Sequence, residues 1–216
     1  MNEILARMPG MTPSRSPEPR ERETAVERTR ERILAAAVAE FGAKGYSGAR
    51  TAGIAARAGV NAQLITYHFG GKQGLLDELR RRWQERQAAA PGAEAPFAES
   101  VRAHLDATLD DPDWARLVIW QALGDCPFTD EDDGRRQTEQ RQALMAEAVR
   151  RAARRQEAGE LRAGLDPRFA VLAAYAIVFA PIAMPQFVRD LFGTDPLSPE
   201  LRQLLAAQLV TLLTED

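Results

Sequence analysis

Residues 51–69, "TAGIAARAGVNAQLITYHF", constrain the fold of this chain more than any other stretch. "TAGIAARA" is about two turns of helix with Ile54, Ala55 and Ala58 as a small inner face. In "GVN", Gly59 can take positive φ at the helix end, and Asn61 can cap whatever follows. "AQLITYHF" then makes two more turns, with Ile65 and Phe69 four apart and pointing inward. A small-residue helix, a glycine turn and a capped short helix form a helix-turn-helix. The preceding "TAVERTRERILAAAVAEFGAKGY" supplies a helix for the pair to pack on. Its apolar residues Ile33, Leu34, Ala37, Val38 and Phe41 recur at three- and four-residue intervals, and Gly45 ends it.

With Leu64, Ile65 and Phe69 turned to the core, the short helix projects Gln63, Thr66, Tyr67 and His68 outward. A helix fits the major groove of B-DNA, where Gln reads base edges and apolar rings meet thymine methyls. Lys72 opens the next helix and, with the backbone N–H groups around it, can reach a phosphate; Arg30 is a second cation for phosphates. The charge distribution agrees. The chain carries a net charge of −3, but residues 20–88 hold 13 Lys/Arg against 8 Asp/Glu, while residues 89–216 hold 13 against 21. A basic first third on an acidic remainder suggests one part facing a polyanion and another facing something else. Double-stranded DNA is the expected partner.

The run "TRERILAAAVAEFGAKGYSGARTAGIAARAGVNAQLITYHFGGKQGLL" resembles the N-terminal domain of the TetR family of transcriptional regulators. The resemblance rests on Arg30, Ile33-Leu34, Ala37, Phe41, Gly45-Tyr46, Ile54-Ala55, Ala58-Gly59-Val60, Tyr67-His68-Phe69, Lys72 and Leu75, in order and spacing. It implies an all-α fold: an N-terminal three-helix helix-turn-helix domain, then a helical-bundle domain for ligand binding and dimerisation. It further implies a homodimer, a palindromic operator and a ligand-responsive regulator, a repressor in our reading. The expected DNA-binding residues are Arg50, Thr51, Asn61, Gln63, Thr66, Tyr67, His68 and Lys72. Two positions depart from the family pattern. Where the family has Thr or Ser capping the second helix, this chain has Arg50, so either Thr51 caps one residue late or Arg50 contacts DNA directly. Where the family has Tyr three residues before the phenylalanine, this chain has Thr66, a hydroxyl of shorter reach.

Three segments are expected: a disordered arm over 1–23, the helix-turn-helix domain over 24–71, and the ligand-binding and dimerisation domain over 72–216. The arm's "MPGMTPSRSPEPRERE" has four prolines and no apolar period, and no signal-peptide core, so export is not expected. A lone cysteine, Cys126, fits a reducing compartment, and a cytoplasmic location is expected. In the body, Trp114, Trp120, Phe128, Tyr175 and Phe179 can line a pocket for a small apolar or aromatic effector. Residues 169–188 are uncharged and about long enough to span a bilayer, but alanines dilute their hydrophobicity and Pro181, Pro185 and Gln186 interrupt them. Pairing with "LRQLLAAQLVTLL" in a soluble four-helix dimer interface through Ala173, Ile177, Leu205 and Leu209 accounts for both apolar stretches without a membrane, with Pro181 and Pro185 kinking the first.

Other classes find little support. The chain has two histidines and one cysteine, with no clustered His/Cys/carboxylate set, so neither an enzyme, a metal site nor a cofactor is expected. His104, alone on its helix with Asp106, reads as a surface residue. Asp130, Glu131, Asp132 and Asp133 lack the spacing of a calcium loop and read as a solvated loop. "FGGKQG" lacks the earlier glycine, the hydroxyl residue and the preceding strand of a phosphate loop. The remaining alternative is a sensor or interaction module that uses this fold with little specific DNA binding.

Overall fold

The computed structural model describes residues 19–88, 95–125, 127 and 130–215. Among these, ten helices and no strand occur: α1 (Pro19–Gly48), α2 (Thr51–Ala58), α3 (Ala62–Phe69), α4 (Lys72–Ala88), α5 (Phe97–Leu109), α6 (Pro112–Ala122), α7 (Glu131–Glu157), α8 (Pro167–Ala183), α9 (Pro185–Phe192) and α10 (Pro199–Leu213). The arm expected over 1–23 lies outside the described residues up to residue 18, and α1 begins at Pro19 rather than Thr24. Gly45, at φ 68 and ψ 174, breaks α1 before its last residues, as its position in the sequence requires.

Two apolar cores divide the chain. The first joins Ile33, Ala37 and Phe41 of α1 to Ile54 and Ala58 of α2, Ile65 of α3, and Leu75, Leu76 and Leu79 of α4. The second joins Val101, Leu105 and Leu109 of α5 to Ala152 of α7, Ala170, Val178 and Ile182 of α8, and Ala206, Leu209 and Leu213 of α10. α6 belongs to both, sending Trp114 and Leu117 into the first core and Ala115 into the second.

That sharing makes a tight junction between α1 and α6. A Cβ added at Gly42 would lie 2.7 Å from the carbonyl oxygen of Asp113, so the two backbones nearly touch. Trp120 Nε1 donates to the Gly42 carbonyl at 3.1 Å, and the Asp125 carboxylate accepts from the Ser47 hydroxyl at 2.5 Å. The guanidinium of buried Arg80 donates to the Pro127 carbonyl at 3.0 Å, tying α4 to the same loop. These contacts correct two pocket assignments. Trp114 stacks on Trp83 of α4 at 6.0 Å and 21°, and Trp120 bonds to α1, so both hold the junction. Phe128 lies outside the described residues.

Further expectations are corrected in the body. The acidic run is not a loop: Asp130 caps α7, accepting from Asp133 N at 2.8 Å, and Glu131, Asp132 and Asp133 fill its first turn. There they answer the positive end of the helix dipole. Pro181 sits inside α8 without ending it; the chain turns by 94° between α8 and α9, at Met184 before Pro185. No single helix among the described residues is long and apolar enough to cross a membrane. Leu209 has no exposed surface, and Ala173, Ile177 and Leu205 pack against the second core. Of the four residues expected at a dimer contact, Leu209 therefore faces the core, while Ala173, Ile177 and Leu205 are half-buried at its edge.

The Gly42 contact sets one prediction. Alanine gains about 1 kcal/mol of helix propensity over glycine, but overpacking a rigid contact costs roughly 1–3 kcal/mol. Because the obstacle is a backbone carbonyl, Gly42→Ala is expected to lower stability in urea unfolding; an equal or higher midpoint would show that the junction yields freely.

Candidate nucleic-acid interface

The helix-turn-helix is seated by burial of few residues at close range. Gly59 closes α2 in the left-handed region at φ 64, and its N–H and that of Val60 satisfy the last α2 carbonyls. Asn61 then caps α3, its side chain accepting from Gln63 N at 2.9 Å. Ile65 is fully buried and Phe69 packs at the edge of the same core. Gly74 permits the next turn: a Cβ there would overlap the Phe69 carbonyl, so only glycine lets α4 start this close to the end of α3.

A buried acid locks α2 against α1. Glu40, almost wholly buried, pairs with Lys44 at 2.6 Å and Arg57 at 3.8 Å, and its carboxylate lies against Gly53, where a Cβ would come within 2.5 Å. Neither Glu40 nor Gly53 was singled out from sequence. Their meeting depends on how α1 crosses α2, which periodicity does not encode.

The outward face of α3 is what remains. Gln63, Thr66 and Tyr67 are exposed, and Tyr67 is 82% exposed, an unusual state for a large ring. His68 is half-buried, its ring meeting Tyr67 edge-on at 4.9 Å. Leu64, expected in the core, is exposed on this face as well, beside the polar residues. An eight-residue helix can bury only its narrow inner stripe, here Ile65 and Phe69.

The cations separate into committed and available ones. Arg30 is committed: Nη1 donates to the His68 carbonyl at 3.1 Å, and its guanidinium lies 4.7 Å from the Phe69 ring centre. It thereby answers the negative end of α3. Arg82 pairs with Glu31 of α1 at 2.6 Å and with Glu78 at 3.0 Å; together with Arg81 it holds the Glu78 carboxyl down to about 2. Lys72 stands over the Tyr46 ring at 4.2 Å, and burial pushes its pKa below the ordinary lysine value. Tyr46 is itself held by a hydrogen bond to Gln73 Oε1 at 2.9 Å.

Arg50 occupies the N-cap position of α2 in extended geometry and makes no capping hydrogen bond, while Thr51 is already the first helical residue. Late capping by Thr51 is thus not seen. Arg50 is exposed, has no ion pair among the described residues, and sits at the positive end of a helix with no acid in its first turn. A cation there is electrostatically unfavourable until an anion arrives. The structure therefore gathers Arg50, Thr51, Asn61, Gln63, Thr66, Tyr67, His68 and Lys72 on or beside two short helices, with Asn61 serving as cap.

Comparison with known proteins gives this geometry a family. Residues 33–79 match the model for bacterial regulatory proteins of the tetR family, and residues 94–213 match the tetracyclin repressor-like C-terminal domain. The chain is 34% identical over 102 residues to the HTH-type transcriptional regulator BetI 1 of Chromohalobacter salexigens, covering 44% of this chain and 50% of that one. It is 34% identical over 98 residues to the HTH-type transcriptional repressor SCO4008 of Streptomyces coelicolor, covering 45% and 51%. The match thus spans about half the length of these relatives. Among solved structures, SCO4942 of Streptomyces coelicolor superposes with a TM-score of 0.64 at 24% identity, covering 86% of this chain and 98% of that one. The ketosteroid transcriptional regulator KstR2 of Mycobacterium tuberculosis gives 0.61 at 17%, covering 88% and 96%. At these identities the structures establish the shared fold alone. The family and these sequence relatives are transcriptional regulators, not enzymes. With the C-terminal family model spanning more than half of its residues, the chain belongs to the TetR family of transcriptional regulators.

Proposed function

We propose that this chain is a ligand-responsive repressor acting in the cytoplasm as a homodimer on a palindromic operator. The observation that carries the reading is the exposed face of α3, where Gln63, Thr66 and the 82% exposed Tyr67 stand clear of a helix pinned by Ile65. Two such helices enter successive major grooves about one turn apart, roughly 34–36 Å. Gln63 and Tyr67 read bases, while Lys72, Arg50 and Thr66 meet phosphates. Helices α1 to α4 form the reading head, and the rest of the chain binds a small effector and the second protomer.

The outer faces of α8 and α10 support the dimer. Phe169, Leu172 and Ala176 make an exposed stripe on α8, and Leu204, Ala207 and Leu212 make another on α10. Large apolar side chains left in water at this spacing each gain ~1.5–3 kcal/mol on full burial, enough in number to offset the cost of association. This contact uses the exposed rather than the inner residues of both helices, and it replaces the inner residues as our choice. An effector in the body would bind preferentially the conformer whose heads are wrongly spaced and so draw the population off DNA.

Leu172→Glu is expected to convert a dimer to monomers in sedimentation velocity with helix content intact, whereas Leu209→Glu should unfold the body. A dimer that survives Leu172→Glu contradicts the α8 contact.

Operator binding separates the head residues by kind. Tyr67→Ala and Gln63→Ala should each lose about 1–3 kcal/mol on operator and little on random DNA, while Lys72→Ala should weaken both and reduce the salt slope by about 1 per site. Arg30→Ala should weaken operator binding and lower the melting temperature with the salt slope unchanged, because it seats α3 and touches no phosphate. Anisotropy titrations at several salt concentrations measure all four; a slope reduced in Arg30→Ala would return it to the phosphate contacts.

A further inference from the structure

Lys72 opens α4 at the positive end of a helix with no acid in its first turn, so the helix itself does nothing to hold the ammonium. Tyr46 holds it instead, with its ring facing the ammonium at 4.2 Å. The Tyr46 ring is fixed in two places. It stacks on Phe41 at 5.7 Å and 21°, and its hydroxyl donates to Gln73 Oε1 at 2.9 Å. Phe41 is fully buried in the first core, which makes one side of that stack rigid.

Gln73 is fixed in turn. Its Nε2 donates to Asp77 Oδ1, one turn along α4, at 3.1 Å, and reaches the Pro127 carbonyl at 3.5 Å. The same two acceptors also receive the Arg80 guanidinium, at 2.9 and 3.0 Å. A carboxylate and a carbonyl only accept, so they demand the amide nitrogen and leave Oε1 for the Tyr46 hydroxyl. A flipped amide would set Oε1 against two acceptors. The amide therefore has one orientation. Polar contacts run unbroken from the Pro127 carbonyl, beyond the end of α6, through Gln73 and Tyr46 to the Lys72 ammonium. Sequence spacing gives no sign of this, because Tyr46 and Gln73 lie 27 residues apart.

We propose that Gln73 is a positioning residue for operator binding: through the Tyr46 hydroxyl it holds the Lys72 ammonium ready to meet a phosphate. A free lysine side chain gives up rotamer freedom when a phosphate captures it, whereas Lys72 has given up part of that freedom on folding. The phosphate then binds at a smaller ordering cost. This rests on Lys72 being a phosphate contact and adds what makes it an effective one. Gln73 itself touches no DNA and acts through Tyr46 and Lys72.

The chain has two lysines, Lys72 and Lys44, and Lys44 is paired with Glu40, so NMR of the full-length, lysine-labelled protein carries an internal control. The ring face beside Lys72 should shift its terminal methylene protons upfield. Gln73→Leu, of similar size without the amide, and Tyr46→Phe, which keeps the ring, should each move that signal and leave Lys44 in place. In anisotropy titrations each should weaken operator and random DNA alike, about three- to tenfold, against less than about twofold in a Lys72→Ala background. Combining Gln73→Leu with Tyr46→Phe should cost no more than either alone. An unmoved Lys72 signal, or equal losses with and without Lys72, overturns the inference. If Lys72→Ala leaves DNA affinity unchanged, the phosphate reading of Lys72 falls and the inference falls with it. If Lys72→Ala weakens binding while Gln73→Leu and Tyr46→Phe do not, that reading stands and the inference alone falls.

Discussion

The backbone of α1 lies against the backbone of α6 at Gly42, and this approach fixes how a reading head is carried by a body. One face of α1 makes the first core, with Ile33, Ala37 and Phe41 beneath α2 and α3. Its far end is held by Trp120 and Asp125, so the surface on which α3 rests cannot rotate without disturbing α6. α6 in turn contributes Ala115 to the second core, where α5, α8 and α10 meet. Packed interiors transmit displacement rather than absorbing it. A change of packing in the body therefore has a direct mechanical route to the head, and in the proposed dimer it becomes a change in the spacing of two α3 helices.

The electrostatics of the head are narrower than its net charge suggests. Several of its cations hold the domain together: Lys44 and Arg57 on Glu40, Arg82 on Glu31 and Glu78, Arg30 on the end of α3, Arg80 on the loop after α6. Arg50 and Lys72 are placed differently, one at the positive end of α2 and the other lifted over Tyr46. With Arg50 and Lys72 as the proposed phosphate contacts, base reading by the α3 face carries the proposed selectivity.

The head was legible in the sequence because its determinants are local. The glycine at the α2 end, the Asn61 cap and the four-residue spacing of Ile65 and Phe69 each act within one or two turns. The body was less so, because its determinants are pairings between distant helices. Trp114 and Trp120 have the composition of pocket residues, and only the path of α1 across α6 assigns them to the junction. His104 gives no local sign of burial, since its partner ring lies on α8. On α8 and α10 nearly every position is apolar or small, so periodicity cannot distinguish the face turned to the core from the face turned away, and Leu209 was placed on the wrong side. The acidic run at 130–133 misled for a different reason: acids belong equally to loops and to helix starts, and the Asp130 cap decides between them.

The central claim is that two α3 helices, each held at a fixed angle by its own α1, read one face of the duplex together. Hydroxyl-radical footprinting on an operator selected by the full-length protein from random sequence tests it most directly. The account predicts two protected patches on the same face of the DNA, with centres about 10 base pairs apart, both lost together as protein is diluted. A single protected patch at saturation, or unbroken protection without helical phase, would contradict it.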